Sequence, residues 1–581
     1  MKRFRLPLPL LVLLLSCPLL LPAQARYANP VLHADYSDPD VCRVGEDYYM
    51  TASSFNCFPG LPILHSRDLV HWELAGAALS DYPGPDWYGP DADFHGRVQH
   101  GNGVWAPAIR YHDGWFYIFC GDPDRGIFMV RTQDPRGRWE DPVWVVKAKG
   151  FIDPCPLWDE DGRAWLSHAA AGSRAGLKSV VFVAPMSPDG TRLLGPSRIV
   201  YDGHKTQPTI EGTKFYKRDG RYYIFAPAGG VKTGWQTVLR AESPYGPYEE
   251  RIVMASAEGT INGPHQGGWV ETAQGEHWFL HFQDKGAYGR IVHLQPMTWR
   301  SDGWPLIGED PDGDGIGQPV ASYRMPLSGK QLDSDARQNL FDASEGARHR
   351  KNLPLHQARA QVASASAAAI GPYGLPLAWQ YPAVPSPYWH HLLPDGTIRL
   401  YSVEQPYGTD WRQMPNLLLQ KFPAENFTVV AKLQFHPHPD MQETAGFLVT
   451  GDDLAGYQLV AEADGVRLGH FTSRPVGKSA DGGPVIEEEI DENVAFFPYD
   501  SSREVSLWVK LEVRAKSTGT PVPEAICRFG YSTDGRTFTR PGYDFKACPE
   551  QWIGAKFGFF CNRPVRKNDG GWLDVSELRI Q

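Results

Sequence analysis

At 581 residues the chain is too long for one hydrophobic core, and two domains are expected of it. Its 57 basic and 67 acidic residues leave a net charge of −10, which argues against a nucleic-acid partner. Beyond the N-terminal apolar run, no stretch is long and apolar enough to span a bilayer.

The first 25 residues have a basic start (Lys2, Arg3, Arg5), an apolar run from Leu6 to Leu21, and Ala23-Gln24-Ala25, the small-x-small pattern of a signal-peptidase site. A secretory leader cut after Ala25 is expected, so that the mature protein is exported to the periplasm or beyond. The alternative is a lipoprotein anchored through Cys17, from Leu14-Leu15-Ser16-Cys17, but the apolar run continues past that cysteine. Loss of the leader removes three positive charges and takes the net charge from −10 to −13. It also leaves seven cysteines with no CxxC spacing, so a disulfide framework is not indicated, although one or two bridges remain open.

From residue 26 to about 325 a pattern repeats. Five segments share apolar residues, a turn with glycine, and an aromatic strand: "CRVGEDYYM", "RYHDGWFYIF", "LWDEDGRAWLSH", "YKRDGRYYIF" and "VETAQGEHWFLHF". Each reads as a β-hairpin. The turn glycines Gly45, Gly114, Gly162, Gly220 and Gly275 are 69, 48, 58 and 55 residues apart, a period that fits the blades of a five-bladed β-propeller. Counting back to the start of each hairpin gives Asp38, Trp105, Asp153, Glu211 and His265. In a propeller the first strands line a central channel, so these positions should meet at one end of it. An Asp or Glu before Pro or Gly is ordinarily a turn residue. Three carboxylates at matched positions around one channel repel one another, however, and call for a use. One protonated and one ionised carboxyl across a pocket is the minimal apparatus of glycoside hydrolysis, and a third can hold the acid's pKa up.

The stretches "NPVLHADYSDPDVCRVGEDYYMTASSFNCFPGLPILHSRDLVHWEL", "GVWAPAIRYHDGWFYIF", "GFIDPCPLWDEDGRAWL" and "IEGTKFYKRDGRYYIFAPAGG" resemble, in order, the motifs of glycoside hydrolase family 43, the five-bladed β-xylosidases and α-L-arabinofuranosidases. The resemblance implies Asp38 as general base, Asp153 as pKa modulator and orienter, and Glu211 as general acid. It also implies inversion at the anomeric centre, with the Asp38 and Glu211 carboxylates roughly 6.5–9.5 Å apart to admit a water. Phe58 and Trp105 match substrate-binding pocket walls, Arg290 an arginine that reaches sugar hydroxyls and the carboxylates, and His265 a channel histidine. The ordinary alternatives are core packing for the rings, a surface salt bridge for Arg290 and a simple hydrogen bond for His265. No cofactor is required for the chemistry; a structural Ca²⁺ held near His265 through water is compatible with it. The run "EDPDGDGIGQP" carries Asp310, Asp312 and Asp314 in EF-hand order, but position twelve is Ala321 and no helices flank it, so a solvated loop is expected.

Residues 326 to 365 are polar and Ala-rich and read as a linker with some helix. From 366 to 581 short alternating strands return: Phe427, Val429, Ala431, Leu433 and Phe435 share one face, as do Val505, Leu507, Val509, Leu511 and Val513. A β-sandwich is expected, and "LAWQYPAVPSPYWHHLLPDGTIRLYS" with "ENFTVVAKLQF" resembles the concanavalin-like C-terminal domain of many family 43 enzymes, which packs on the propeller and can lend a residue to the pocket rim. The fold class is therefore all-β, a five-bladed propeller followed by a sandwich. The function implied is exo-acting release of terminal α-L-arabinofuranosyl units from plant cell-wall oligo- or polysaccharides such as xyloglucan or arabinoxylan. The nearest alternative is a β-xylosidase, and the alternative from another class a propeller that binds carbohydrate without catalysis. The 12% aromatic content suits sugar-binding surfaces and β-rich cores equally.

Overall fold

The computed structural model describes residues 25–82, 96–256, 259–326, 370–405, 408–479, 484–542 and 544–581. Residues 1–24 of the leader and 327–365 of the linker lie outside this set, as does the helix expected in the linker.

Five antiparallel sheets of four strands follow one another, each with its strands in chain order. Their first strands are Asp40–Val44, Trp105–His112, Phe151–Trp158, Lys214–Arg218 and His265–Glu271. The first of these packs against the second and the fifth, and the third against the second and the fourth, so they ring a common axis. The hairpin reading holds at every blade because the chain reverses through a left-handed glycine, from Gly45 at φ 63° to Gly114 at φ 82°. Before Gly114 and Gly220, Asp113 and Asp219 are left-handed too, which gives the two-residue type I′ turn that matches strand twist.

Among the described residues no strand is exchanged between the first and last blades. Instead, the segment before the first blade bonds along the last: Arg26–Ala28 pairs with Ser322–Arg324, Val31 N–H donates to Val292 O at 2.9 Å, and Tyr36 N–H to Arg290 O at 2.9 Å. Tyr36, Met50, Leu64, Trp72, Trp278 and Leu294 form the core of this seam. The closure sets Asp38 beside the end of the last blade.

The C-terminal domain is two stacked sheets of seven strands. Phe427–His436 alternates buried and half-buried residues as expected, and it pairs antiparallel with Val505–Lys516, Phe427 opposite Val513 and Phe435 opposite Val505. The inward residues of both sheets make one large core.

The sandwich is joined to the propeller by buried polar contacts as well as packing. Tyr381 and Phe58 exchange backbone hydrogen bonds at 2.8 Å, and Ala555 N–H donates to Ala287 O at 2.8 Å. Lys556 Nζ lies 2.8 Å from Cys57 Sγ, and Lys421 Nζ donates to Asp35 O at 2.6 Å. All seven described cysteines are free, and all but Cys548 are buried.

Candidate active site

The first strand of each blade enters the axis through irregular backbone. Asp38, Ala106, Asp153 and Gln266 all have positive φ, at 54°, 40°, 57° and 28°. The pairing slips at Trp105/Ala108, Ile152/Cys155 and His265/Gly267. Such bulges turn a side chain out of the sheet alternation, and non-glycine residues at these angles are costly enough to need a surrounding structure that holds them. Here they turn Asp38 and Asp153 into a shared space.

Asp38 is 4% exposed. Its Oδ2 accepts hydrogen bonds from Ser53 Oγ at 2.6 Å and Ser37 Oγ at 3.0 Å, while Oδ1 accepts from Arg290 Nη1 at 3.3 Å. Ser53 is itself fixed by Ala106 N–H, which donates to its Oγ at 2.7 Å. Asp153 Oδ2 accepts the Gly212 N–H at 2.6 Å, so it grips the backbone next to Glu211, and its carbonyl holds the Thr213 hydroxyl at 2.7 Å. Burial pushes the Asp153 pKa up to about 7, with the Asp38 charge adding to the shift. Glu211, whose side chain is 35% exposed, is raised to about 8, by desolvation first and then by the charges of Asp153 and Asp38. The Asp38 charge therefore bears on both Asp153 and Glu211. Burial and these charges favour the protonated form of Glu211 around neutral pH, while the Asp38 carboxylate is held by two hydroxyls and a guanidinium.

Arg290 is 7% exposed. Its Nη1 also donates to Ser37 Oγ at 2.7 Å, and its guanidinium lies between Phe282 at 4.7 Å and Trp552 at 5.4 Å. It is a buried link in the site, so the surface salt-bridge alternative does not describe it. His265 Nε2 is 3.9 Å from Glu211 Oε1, and neither ring nitrogen has a hydrogen-bond partner among the described residues. Burial, with Arg290 adding to it, pushes its pKa down to about 3, so the ring is neutral with a free lone pair. His265 belongs to no group of three or more His, Cys, Asp or Glu ligand atoms among the described residues, and a Ca²⁺ there would have to be completed by water. Such an ion would add positive charge at the channel, and no step of the chemistry passes through it. Asp310, Asp312 and Asp314 do converge within 4.8 Å, but Asp310 already accepts the N–H groups of Gly313 and Gly315, the role of a loop staple.

Trp105 is half-buried at the head of the second blade, its Nε1 donating to Gly101 O at 2.7 Å. Phe58 is not a pocket wall. It is 0% exposed, packed with Ile63, Leu79, Ile118 and Phe128 between the first two blades and edge-on to Tyr82. Its neighbour Phe55 lies closer to the site, in a small cluster with Cys57 and Ile553 against which Trp105 packs.

Sequence reasoning did not single out Trp552 or the present role of Asp35. Trp552, from the sandwich, is 43% exposed and meets Trp105 edge-on at 6.3 Å. Asp35 ties its loop to the propeller: Oδ1 accepts Arg290 N–H and Oδ2 accepts Gly554 N–H, both at 2.9 Å. Asp40 serves elsewhere, its Oδ2 accepting from Ile109 N–H and Arg110 Nη1. Asp35, Asp38 and Asp40, three acids within six residues of one another, therefore do three jobs.

Comparison with known proteins agrees with this geometry. The family described as "Glycosyl hydrolases family 43" matches residues 27–305, and the "Beta xylosidase C-terminal Concanavalin A-like domain" matches residues 372–581. A "Non-reducing end alpha-L-arabinofuranosidase BoGH43B" of Bacteroides ovatus is 30% identical over 467 residues, 77% of this chain and 78% of the relative. The chain belongs to glycoside hydrolase family 43. A "Putative beta-xylosidase" of Xylanibacter ruminicola is 45% identical over 302 residues, and the match spans 52% of this chain and 54% of the relative's length. The solved xylan β-1,4-xylosidase from Bacillus halodurans superimposes with a TM-score of 0.73 over 95% of this chain and 99% of its own, at 22% identity, a likeness of fold. The propeller and sandwich are thus the expected pair for family 43, with Asp38, Asp153 and Glu211 at the axis of the first.

Proposed function

We propose that the protein is an exo-acting, inverting glycoside hydrolase that removes terminal pentosyl units from plant cell-wall oligo- or polysaccharides, and that it is exported. The observation that carries this reading is the set of three carboxyls at the propeller axis, in which burial and the charges of Asp153 and Asp38 favour a protonated Glu211 around neutral pH while Asp38 is dressed with donors. In this reading Glu211 gives its proton to the glycosidic oxygen as the bond breaks. Asp38 takes a proton from the water that attacks the opposite face, and Asp153 positions the Gly212 backbone beside the acid. The contacts of Trp552, a residue of the sandwich, with Arg290 and Trp105 support an exo mode, in which the second domain would close one side of the site.

The sugar is either α-L-arabinofuranosyl, as first expected, or β-D-xylosyl. The names of the relatives divide between the two, and the 45% identical relative is named a putative β-xylosidase, which favours the xyloside. Hydrolysis of the 4-nitrophenyl α-L-arabinofuranoside and β-D-xyloside, compared with a natural oligosaccharide, decides the preference. The same assay on Glu211→Gln tests the acid: loss of the donor should lower the rate on the natural substrate by about 10² to 10⁴-fold. Full retention of that rate would rule the role out and leave a binding propeller as the better reading.

A further inference from the structure

Besides the axial site, the sandwich carries an open cleft of about 580 Å³ on its own surface, where the Pro387–His391 turn, the end of strand Ile398–Tyr401 and the 568–571 turn meet. A volume of this size falls within the roughly 300–1,000 Å³ of small-molecule sites. Two rings border it: Tyr388, 81% exposed and the most exposed of the large apolar and aromatic side chains described, and Tyr401, 37% exposed. Polar groups with unspent capacity lie between them. His391, Asn568 and Asp569 line the walls, and among the described residues Asp569 uses one oxygen, accepting Gly570 N–H at 2.8 Å. Arg563 also lines the cleft.

The floor is built rigidly. Glu443 is 0% exposed, and its carboxylate accepts from Ser402 Oγ at 2.6 Å, Gly571 N–H at 2.8 Å and His438 N–H at 2.6 Å. This staples the 568–571 turn to the strand end. Gly570 lets the turn close over the arginine, since a Cβ there would lie 2.4 Å from Arg563 Nη1. Exposed rings that can stack on the C–H face of a sugar, beside an arginine, an amide and a carboxylate that can bond adjacent hydroxyls, make a saccharide site rather than an apolar docking groove.

We propose that this cleft is a second, non-catalytic binding site of the sandwich for a segment of xylan-type oligosaccharide, separate from the axial pocket. The proposal rests on the reading of the protein as a hydrolase of pentose-bearing polysaccharide, and it goes beyond that reading by giving the sandwich a role in holding the polymer.

The test uses the full chain carrying Glu211→Gln, so that the ligand is not consumed, in native gels containing soluble arabinoxylan and in titrations with xylohexaose. Adding Tyr388→Ala and Tyr401→Ala should weaken retardation by arabinoxylan roughly tenfold, the range of an aromatic anchor, and remove one of two xylohexaose sites. Tyr388→Trp, which keeps a ring, should retain both. In the otherwise wild-type chain the two alanines should leave kcat/KM on the chromogenic glycoside within about twofold, which also shows that the protein is folded. Unchanged retardation, a single xylohexaose site in the parent, or an equal loss of activity on the small glycoside would each overturn the proposal. So would a Tyr388-dependent dimer without saccharide affinity. Tyrosine-dependent retardation in a chain that hydrolyses neither chromogenic glycoside would uphold the cleft and sink the hydrolase reading alone.

Discussion

Asp35→Asn should destabilise the protein and slow it together. The carboxylate is 6% exposed and accepts two backbone donors, Arg290 N–H and Gly554 N–H, each at 2.9 Å. An asparagine of the same shape has one acceptor oxygen, so one N–H would face an NH₂ group. Losing one bond to a charged acceptor, worth about 1.5–3 kcal/mol, and stranding a buried donor gives a cost of about 2–5 kcal/mol. The charge matters as well. Lys421 is half-buried, and desolvation pushes its pKa down to about 8; the Asp35 charge holds it up, and the Lys556 charge opposes it. Removing that carboxylate leaves the two ammonium groups, Lys556 of them buried, with less to offset them. Urea unfolding followed by tryptophan fluorescence should show the midpoint fall by the equivalent of that cost, and kcat/KM should fall because Arg290 and the Trp552 loop lose their common anchor. A change below about 0.5 kcal/mol, with activity retained, would refute the idea that Asp35 joins the domains at the site.

Trp552→Ala, at a 43% exposed ring stacked over Arg290, should raise KM about tenfold and barely move the melting temperature. The pH profile of kcat/KM should fall above about pH 8 as Glu211 loses its proton, and Glu211→Gln should lack that limb. Stability should also depend on pH. The folded-state pKa values of Asp153, about 7, and Glu211, about 8, lie above their unfolded values near about 4, so the native state binds more protons between them. Stability should therefore drop as pH rises from about 4 through 8, and Glu211→Gln should flatten this and melt higher than wild type at pH 8, as a series of thermal scans would show. Phe58→Ala should cost about 3–5 kcal/mol through the cavity it leaves, with KM on a chromogenic glycoside unchanged in the protein that remains folded.

The propeller was legible because each blade repeats one local event, a glycine reversal whose left-handed backbone the residue type itself permits, as at Gly114 and Gly220. Asp38, Asp153 and Glu211 stood out in the sequence because they lie 7, 9 and 9 residues before those turn glycines. Phe58 was misplaced for a physical reason: "FNCFPG" offers two phenylalanines three residues apart, and only the packing of the first two blades shows that Phe58 is the enclosed one and that Phe55 is nearer the site. Trp552 had no signal in the propeller repeat, since it reaches the rim through docking of another domain. The separate duties of Asp35 and Asp40 were likewise hidden, because their partners Gly554 and Arg110 are distant in sequence. The bulges that turn Asp153 and His265 inward leave no mark in composition either.

The pairing of a protonated Glu211 with a water-activating Asp38 is tested most directly by the configuration of the first sugar released, followed by proton NMR in D₂O before mutarotation. Inversion, β-arabinofuranose from an α-arabinofuranoside or α-xylose from a β-xyloside, is the predicted result. Retention of configuration would mean that a carboxylate attacks the sugar, and would contradict the assignment.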